Sequence, residues 1–307
     1  MIIKKEEKNG ILIITVKANK TDTEMEKMKN TLLKPHQIDY IVKEDADVYA
    51  DDGKLLLKFR KGKLSAQRIE AFYDNVIAFA QKSYSTNRGS ASGSNKKNVY
   101  DNPKVFSNII GYMDSFSPKQ KFLLKQQNKS LKYNARECRF NVENPEKYQK
   151  MIPLVQEIDR FYKQLQPDHY KKQVRKAQQT HFRIPKTAFT TITTNVNFQT
   201  SVHKDKGDDE EGFGNLSVID TGKYSGAETC IPKYGIGVDV RRGDILFMDV
   251  HEWHGNLPMI KKSDDAMRLS IVCYLRYNVW KHTRNVSKKQ MIRHNTTVKS
   301  IKQCKKK

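Results

Sequence analysis

Apolar positions along this chain follow three successive regimes. Near the N-terminus they form short runs. Ile11-Leu-Ile-Ile-Thr-Val16 has the length and β-branching of a strand, and Asp47 to Phe59 reads as a hairpin about Asp52-Gly53. From Ser65 to about Ser83 the spacing turns helical, with Ile69, Phe72, Tyr73, Val76 and Phe79 forming a core stripe. A second helix is predicted from Asn144-Pro145 to about Gln166, because proline is tolerated in a first turn. Its apolar side is Ile152, Leu154, Val155, Ile158 and Phe161-Tyr162, and Pro153 within it predicts a kink or a break. Asp168 is the expected cap of a further helix reaching about Gln179. From Thr187 to Tyr277 the pattern becomes short strands between Gly-containing turns, at 187–203, 215–220, 228–231, 236–240, 244–249 and 267–277. Such a series predicts a double-sheet sandwich or jelly roll.

Composition narrows the class. The chain has 307 residues, 37% of them hydrophobic, enough for a folded core. It has no apolar run of about 18 residues and no signal-type N-terminus, so a soluble intracellular protein is expected. Cys138, Cys230, Cys273 and Cys304 lack CxxC spacing, which argues against a zinc site and a disulfide framework. The formal charge is +23, and from Lys281 to Lys307 there is no acidic residue. Two readings stand: a footprint for nucleic acid, or a Lys-rich compositional bias. The basic tail can lie on a phosphate backbone or be a solvated end. Residues 85–98, rich in Ser, Gly and Asn, read as a mobile loop or linker, with Arg88-Gly89 as an alternative active-site element.

The chemistry concentrates in the strand-rich part. His203-Lys-Asp205 places an imidazole and a carboxylate two residues apart, hence on one face of a strand. With His254 as third ligand the set is two histidines and a carboxylate, the facial arrangement of non-haem Fe(II) oxygenases. The nearby His251 is read as a supporting residue. Arg268 begins a later strand, where a guanidinium can hold the distal carboxylate of 2-oxoglutarate, with Ser270 on the same face. Counting back from His203 by twos gives Ser201, Gln199, Asn197 and Asn195, a polar face expected to line the cavity. From it, Asn195 and Asn197 are candidate cofactor-binding residues.

These segments resemble a known family. Phe189 to Asp208, Gly212-Phe-Gly-Asn-Leu216, Pro232 to Val240, Gly243 to Asn256 and Arg268-Leu-Ser-Ile-Val-Cys-Tyr274 resemble, in order, the TET/JBP branch of 2-oxoglutarate dioxygenases. The resemblance covers residues 180–278 and is looser upstream, at Asp47–Lys63 and Ile109–Tyr112, where it is to stand-alone viral and phage members. It implies an α+β protein with a double-stranded β-helix (jelly-roll, cupin-like) core, flanking helices and a β-rich N-terminal region. It further implies Fe(II), 2-oxoglutarate and O2 (dioxygen), with His203, Asp205 and His254 on the iron and Arg268 on 2-oxoglutarate. The implied activity is oxidation of a pyrimidine 5-methyl group, in thymine or 5-methylcytosine, within nucleic acid and by expectation DNA. A target base in a duplex has to be flipped out to react, and Phe213 or Tyr234 can stack on it or serve as packing.

The expected organisation is a β-rich region with a helix at 1–84, a linker at 85–98, an oxygenase domain at 99–280 and a basic tail at 281–307. Alternative readings are a prolyl or lysyl protein hydroxylase of the same fold and an inactive nucleic-acid-binding module.

Overall fold

The computed structural model describes residues 1–303 apart from 95, 117 and 129, so Cys304 and the last lysines lie outside the described residues. The chain divides into two compact units. One comprises Met1–Asn108, Thr193–Lys206 and Phe213–Val272, and the other Ile109–Ile192, Gly207–Gly212 and Cys273–Lys307.

The first unit is built on sheets. In the larger, neighbouring strands run Ile2–Lys8, Ile11–Val16, Ala46–Ala50, Leu55–Arg60, Ile245–Met248, Gly214–Thr221, Met267–Tyr274 and Thr191–Val196. The smaller runs Gly255–Asn256, Thr229–Ile231, Ile236–Val238 and Tyr40–Val42. Val16, Val48, Leu57 and Leu246 of the larger sheet share one buried core with Ile231, Ile236 and Val238 of the smaller. Burial of these β-branched and aliphatic side chains is what joins the sheets. The N-terminal strands therefore pair within the same sheet as the strands that follow residue 213.

Local signals explain most elements. Asn9 and Gly10 both take positive φ, 53° and 73°, and turn Ile2–Lys8 back onto Ile11–Val16. Ile11–Val16 then pairs parallel with Ala46–Ala50, which needs a crossover. That crossover holds the helix Asp22–Met28, started by a capping box in which Thr21 and Glu24 satisfy each other's backbone N–H groups. The expected hairpin forms between Ala46–Ala50 and Leu55–Arg60. Ala66–Lys82 is the expected helix, burying Ile69, Phe72, Val76 and Ala80 while Tyr73 and Phe79 are half-buried.

The second unit is mainly helical. Pro145–Leu165 runs on past Pro153 without a break, so the cost of the missing donor is outweighed by burial of Met151, Ile152, Leu154, Val155, Ile158 and Tyr162. The next helix starts at Pro167 with Gln166 at its N-cap; Asp168 sits inside the first turn, near the positive end of the dipole. The stretch 281–307, expected to be a basic tail, takes in the end of the helix Tyr277–Thr283 and the helix Lys288–Gln303. Among the described residues no helix is long and apolar enough to cross a membrane. Cys138, Cys230 and Cys273 are buried as reduced thiols.

Candidate metal centre

His203, Asp205 and His254 meet in the first unit, with one ligand-type atom of each within 4.8 Å of the others. Asp205 Oδ1 is 3.4 Å from His203 Nε2, and Asp205 Oδ2 is 3.9 Å from His254 Nε2. Backbone pairing sets this geometry. His203 and His254 exchange N–H···O bonds of 2.9 Å in both directions, an isolated antiparallel bridge. The Asp205 N–H donates to Val250 O at 3.0 Å. Gly214 leaves room for that contact, since a Cβ there would overlap the Val250 side chain.

Hydrogen bonds also orient the rings. His203 Nδ1 is 2.7 Å from Ser201 O, and His254 Nδ1 is 2.9 Å from Glu252 O. A carbonyl can only accept, so each Nδ1 carries a proton; His254 Nε2 presents a lone pair, while His203 Nε2 is the atom that faces Asp205 as a donor until a cation takes its place. Burial, together with neighbouring His203, pushes His254 down to about 4. Burial also opposes charge on His203, but its contact with Asp205 outweighs that and raises it. Burial would raise Asp205, yet the hydrogen bond from His203 and the charges of the histidines hold it low. At neutral pH the cluster thus offers a carboxylate and a neutral imidazole, with the second imidazole bound to that carboxylate. His251 belongs to the turn instead, its N–H donating to Asp249 Oδ1 at 2.9 Å.

The residues leading into the cluster depart from the expected strand at 187–203. The strand ends at Val196, and Asn197 takes a φ of 48°. Asparagine tolerates this left-handed conformation. Its Oδ1 accepts the Arg268 N–H at 2.7 Å, and its own N–H donates to Arg268 O at 2.9 Å. Alternation by twos does not continue through such a residue, so 195–203 is not one polar strand face. Asn197 lines, with Gln81, Lys104 and Phe198, a cavity of about 480 Å³ that none of the three cluster side chains lines. Asn195 Nδ2 lies 3.3 Å from Ser270 Oγ.

Residues 198–202 are held as a loop by partners that periodicity does not show. Asn256 Oδ1 accepts the Thr200 N–H at 2.6 Å. Ser201 donates to the 3-10 turn Ser90–Ser92, its Oγ to Ser90 O and its N–H to Ala91 O, both at 2.8 Å. The segment read as a mobile linker is thus hydrogen-bonded to the loop that carries His203, and Arg88 is near enough for its charge to oppose protonation of His203. Lys54 Nζ, 2.7 Å from Asp249 and 3.7 Å from Glu252, ties down the turn before His254. Phe213 and Tyr234 are buried, Tyr234 in the inter-sheet core.

Arg268 is only 5% exposed, and its Nε has no hydrogen-bond partner. Tyr224 is beside it and donates from its hydroxyl to Asp220 at 2.7 Å. Among the described residues no carboxylate lies within 4.0 Å of the guanidinium, and burial lowers its proton affinity. A buried cation of this kind is costly unless an anion completes it.

The oxygenase domain of the 2OGFeDO superfamily, Tet_JBP, matches residues 123–277, half of the chain. The chain belongs to the Tet_JBP family. Among similar proteins, the bifunctional helicase and thymine dioxygenase JBP2 of Leishmania braziliensis is 34% identical over 168 residues, 55% of this chain and 14% of the relative. JBP2 of Trypanosoma cruzi is 39% identical over 124 residues, 40% of this chain and 11% of the relative. The thymine dioxygenase JBP1 of Trypanosoma brucei brucei is 32% identical over 148 residues, 48% and 17%. This Tet_JBP chain thus spans only 11 to 17% of these relatives' length. The solved structure of NgTET1 in complex with 5mC DNA aligns over 90% of this chain and 100% of its own, at a TM-score of 0.52 and 12% identity. At that identity the likeness concerns the fold: a jelly-roll oxygenase core within an α+β chain, as expected from the strand pattern.

Proposed function

We propose that this Tet_JBP chain is an Fe(II)- and 2-oxoglutarate-dependent dioxygenase that oxidises the 5-methyl group of a pyrimidine in DNA. The observation that carries the reading is the convergence of His203, Asp205 and His254 with both Nε2 atoms beside the carboxylate. Two imidazole nitrogens and one carboxylate oxygen suit Fe(II), and carbonyl partners on both Nδ1 atoms leave Nε2 as the ligand nitrogen of each ring. Arg268, buried with no carboxylate of the described residues within 4.0 Å, fits the distal carboxylate of 2-oxoglutarate, and Ser270 Oγ, two residues along the strand, can donate to it. Asn195 supports this contact by fixing Ser270, and Asn197 by fixing the Arg268 backbone.

When bound, Fe(II), 2-oxoglutarate and dioxygen supply the oxidising chemistry, with succinate and carbon dioxide as by-products. The chain's part is to hold the three ligand side chains in one orientation, to turn both Nε2 atoms toward the cation, and to neutralise the co-substrate's far end. Thymine is the favoured base, because the relatives similar in sequence are named thymine dioxygenases, whereas the 5mC-bound neighbour shares the fold at 12% identity.

The test incubates anaerobically Fe(II)-loaded chain with 2-oxoglutarate, oxygen and thymine-containing or 5-methylcytosine-containing DNA. Nucleosides are read by mass spectrometry and succinate is assayed alongside. A hydroxylated base matched by succinate supports the reading and names the base. Succinate release with both bases unchanged directs the search to RNA or protein, and absence of both products from iron-loaded chain overturns the enzyme.

A further inference from the structure

The positive charge is not spread evenly. The first unit holds 29 Lys and Arg against 23 Asp and Glu, a net +6, whereas the smaller second unit holds 28 against 11, a net +17. A general bias toward lysine would charge both units alike. The excess is densest at the end of the second unit, where no acidic residue occurs from Cys273 onward.

The last helices give that charge a fixed surface. Lys288–Gln303 buries His294, Asn295 and Val298, and His294 Nε2 meets Ala135 O at 2.6 Å. The His294 ring also packs edge-on against Tyr133 and Phe182. With that side anchored, Lys288, Lys289 and Arg293 are exposed, as are Lys281 and Arg284 just before them. Among the described residues none of these five lies within 4.0 Å of a carboxylate; Lys299, 3.1 Å from Glu137, is the paired exception on this helix. Lys289 and Arg293 are one turn apart, about 6 Å along the axis.

We infer that the outer face of Lys288–Gln303, extended by Lys281 and Arg284, is a docking surface for the phosphate backbone of duplex DNA. The choice of polyanion rests on the proposed function. Exposed cations without a carboxylate partner, on an anchored helix and just before it, suit a repeating phosphate chain, where each contact releases condensed counterions. A membrane-binding helix would also need a broad apolar face, and among the described side chains of this helix Ile292 is the large hydrophobic one exposed. Contacts of this kind position the chain on DNA without reading its sequence.

The test measures binding of the full chain to a fluorescently labelled duplex of mixed sequence, from about 50 to about 200 mM salt. The triple variant Lys288→Gln, Lys289→Gln, Arg293→Gln is compared with Lys8→Gln, Lys17→Gln, Lys43→Gln, which removes equal charge from exposed positions of the first unit. Circular dichroism checks that both fold. The helix variant is expected to lose about 2 to 3 from the slope of log affinity against log salt, and at least about tenfold in affinity at low salt. The first-unit variant is expected to keep the wild-type slope. Equal losses in both variants, no loss in the helix variant, no binding by wild type, or a preference for anionic vesicles over DNA would each overturn the inference. The product assay is read separately. Wild type that oxidises DNA while the helix variant keeps its slope retains the function and loses the docking surface. Salt-sensitive binding through the helix without an oxidised base does the reverse.

Discussion

His254 Nδ1 lies 2.9 Å from the carbonyl oxygen of Glu252, and this contact decides which side of the ring can bind a cation. The proton is held on Nδ1, so the Nε2 lone pair faces Asp205. Asp205 is the anionic member that makes the cluster attractive to Fe(II), and its side chain contributes little to the core. Asp205→Ala is therefore expected to lower succinate production by at least about 100-fold, beyond the usual cost of losing only a supporting hydrogen bond. The thermal unfolding profile should stay close to wild type. Unchanged turnover in a folded Asp205→Ala protein would falsify the iron assignment.

Arg268 makes a two-part prediction. Its guanidinium is buried with Nε unsatisfied, so an apolar side chain of similar length should fit without loss. Arg268→Met is expected to leave the ligand-free protein at least as stable as wild type. The same change removes a charge-assisted contact worth about 1.5–3 kcal/mol, raising the KM for 2-oxoglutarate roughly 10- to 150-fold. Melting curves and 2-oxoglutarate titrations check the two halves. A marked loss of stability with KM unchanged would make Arg268 a structural residue.

The legible parts of this chain were those where one physical rule acts alone. The helix Ala66–Lys82 and the hairpin before it follow from periodicity and turn chemistry, and the meeting of His203, Asp205 and His254 from residue type and order. Ile2–Lys8 was hidden because IIKKEEK, an exposed edge strand, carries no alternating apolar residues, although Asn9-Gly10 marks its turn. The polar run from Asn195 to His203 misled for a related reason. It alternates as a strand would, but Asn197 uses its side chain to replace a ladder partner and turns the backbone. Ser90, Ala91 and Asn256 gain their places through contacts distant in sequence, which no local pattern encodes.

Asn256 links two parts of the centre. Its Oδ1 accepts from Thr200 N at 2.6 Å, and its Nδ2 donates to Leu257 O at 3.0 Å. It lies two residues after His254, and Thr200 three before His203. Asn256→Ala leaves a buried donor and acceptor unpaired, a cost of about 1–3 kcal/mol. Loosening the loop is expected to weaken Fe(II) binding about 10- to 100-fold while all three ligands remain. Anaerobic iron titration of the folded variant measures this, and wild-type affinity would show that the loop does not position His203.

Asp159, in the second unit, makes a prediction about pH. Burial raises its proton affinity, only partly opposed by hydrogen bonds from the Ala188 N–H at 2.6 Å and the Tyr170 hydroxyl at 3.0 Å. Its folded value therefore lies above its unfolded one. Between the two, the folded state binds more protons, so this group's contribution is fully present below the unfolded value. That contribution is lost as pH rises through the folded value. Asp159→Asn keeps an oxygen for Ala188 and an amide that can donate to Tyr170, but carries no charge to bury. The variant is expected to be more stable than wild type at neutral pH, with the difference shrinking as pH falls into the carboxylate range. Denaturant unfolding across that range tests the sign. A variant less stable at neutral pH than in acid, relative to wild type, would mean that the carboxylate is held charged and stabilising in the folded chain.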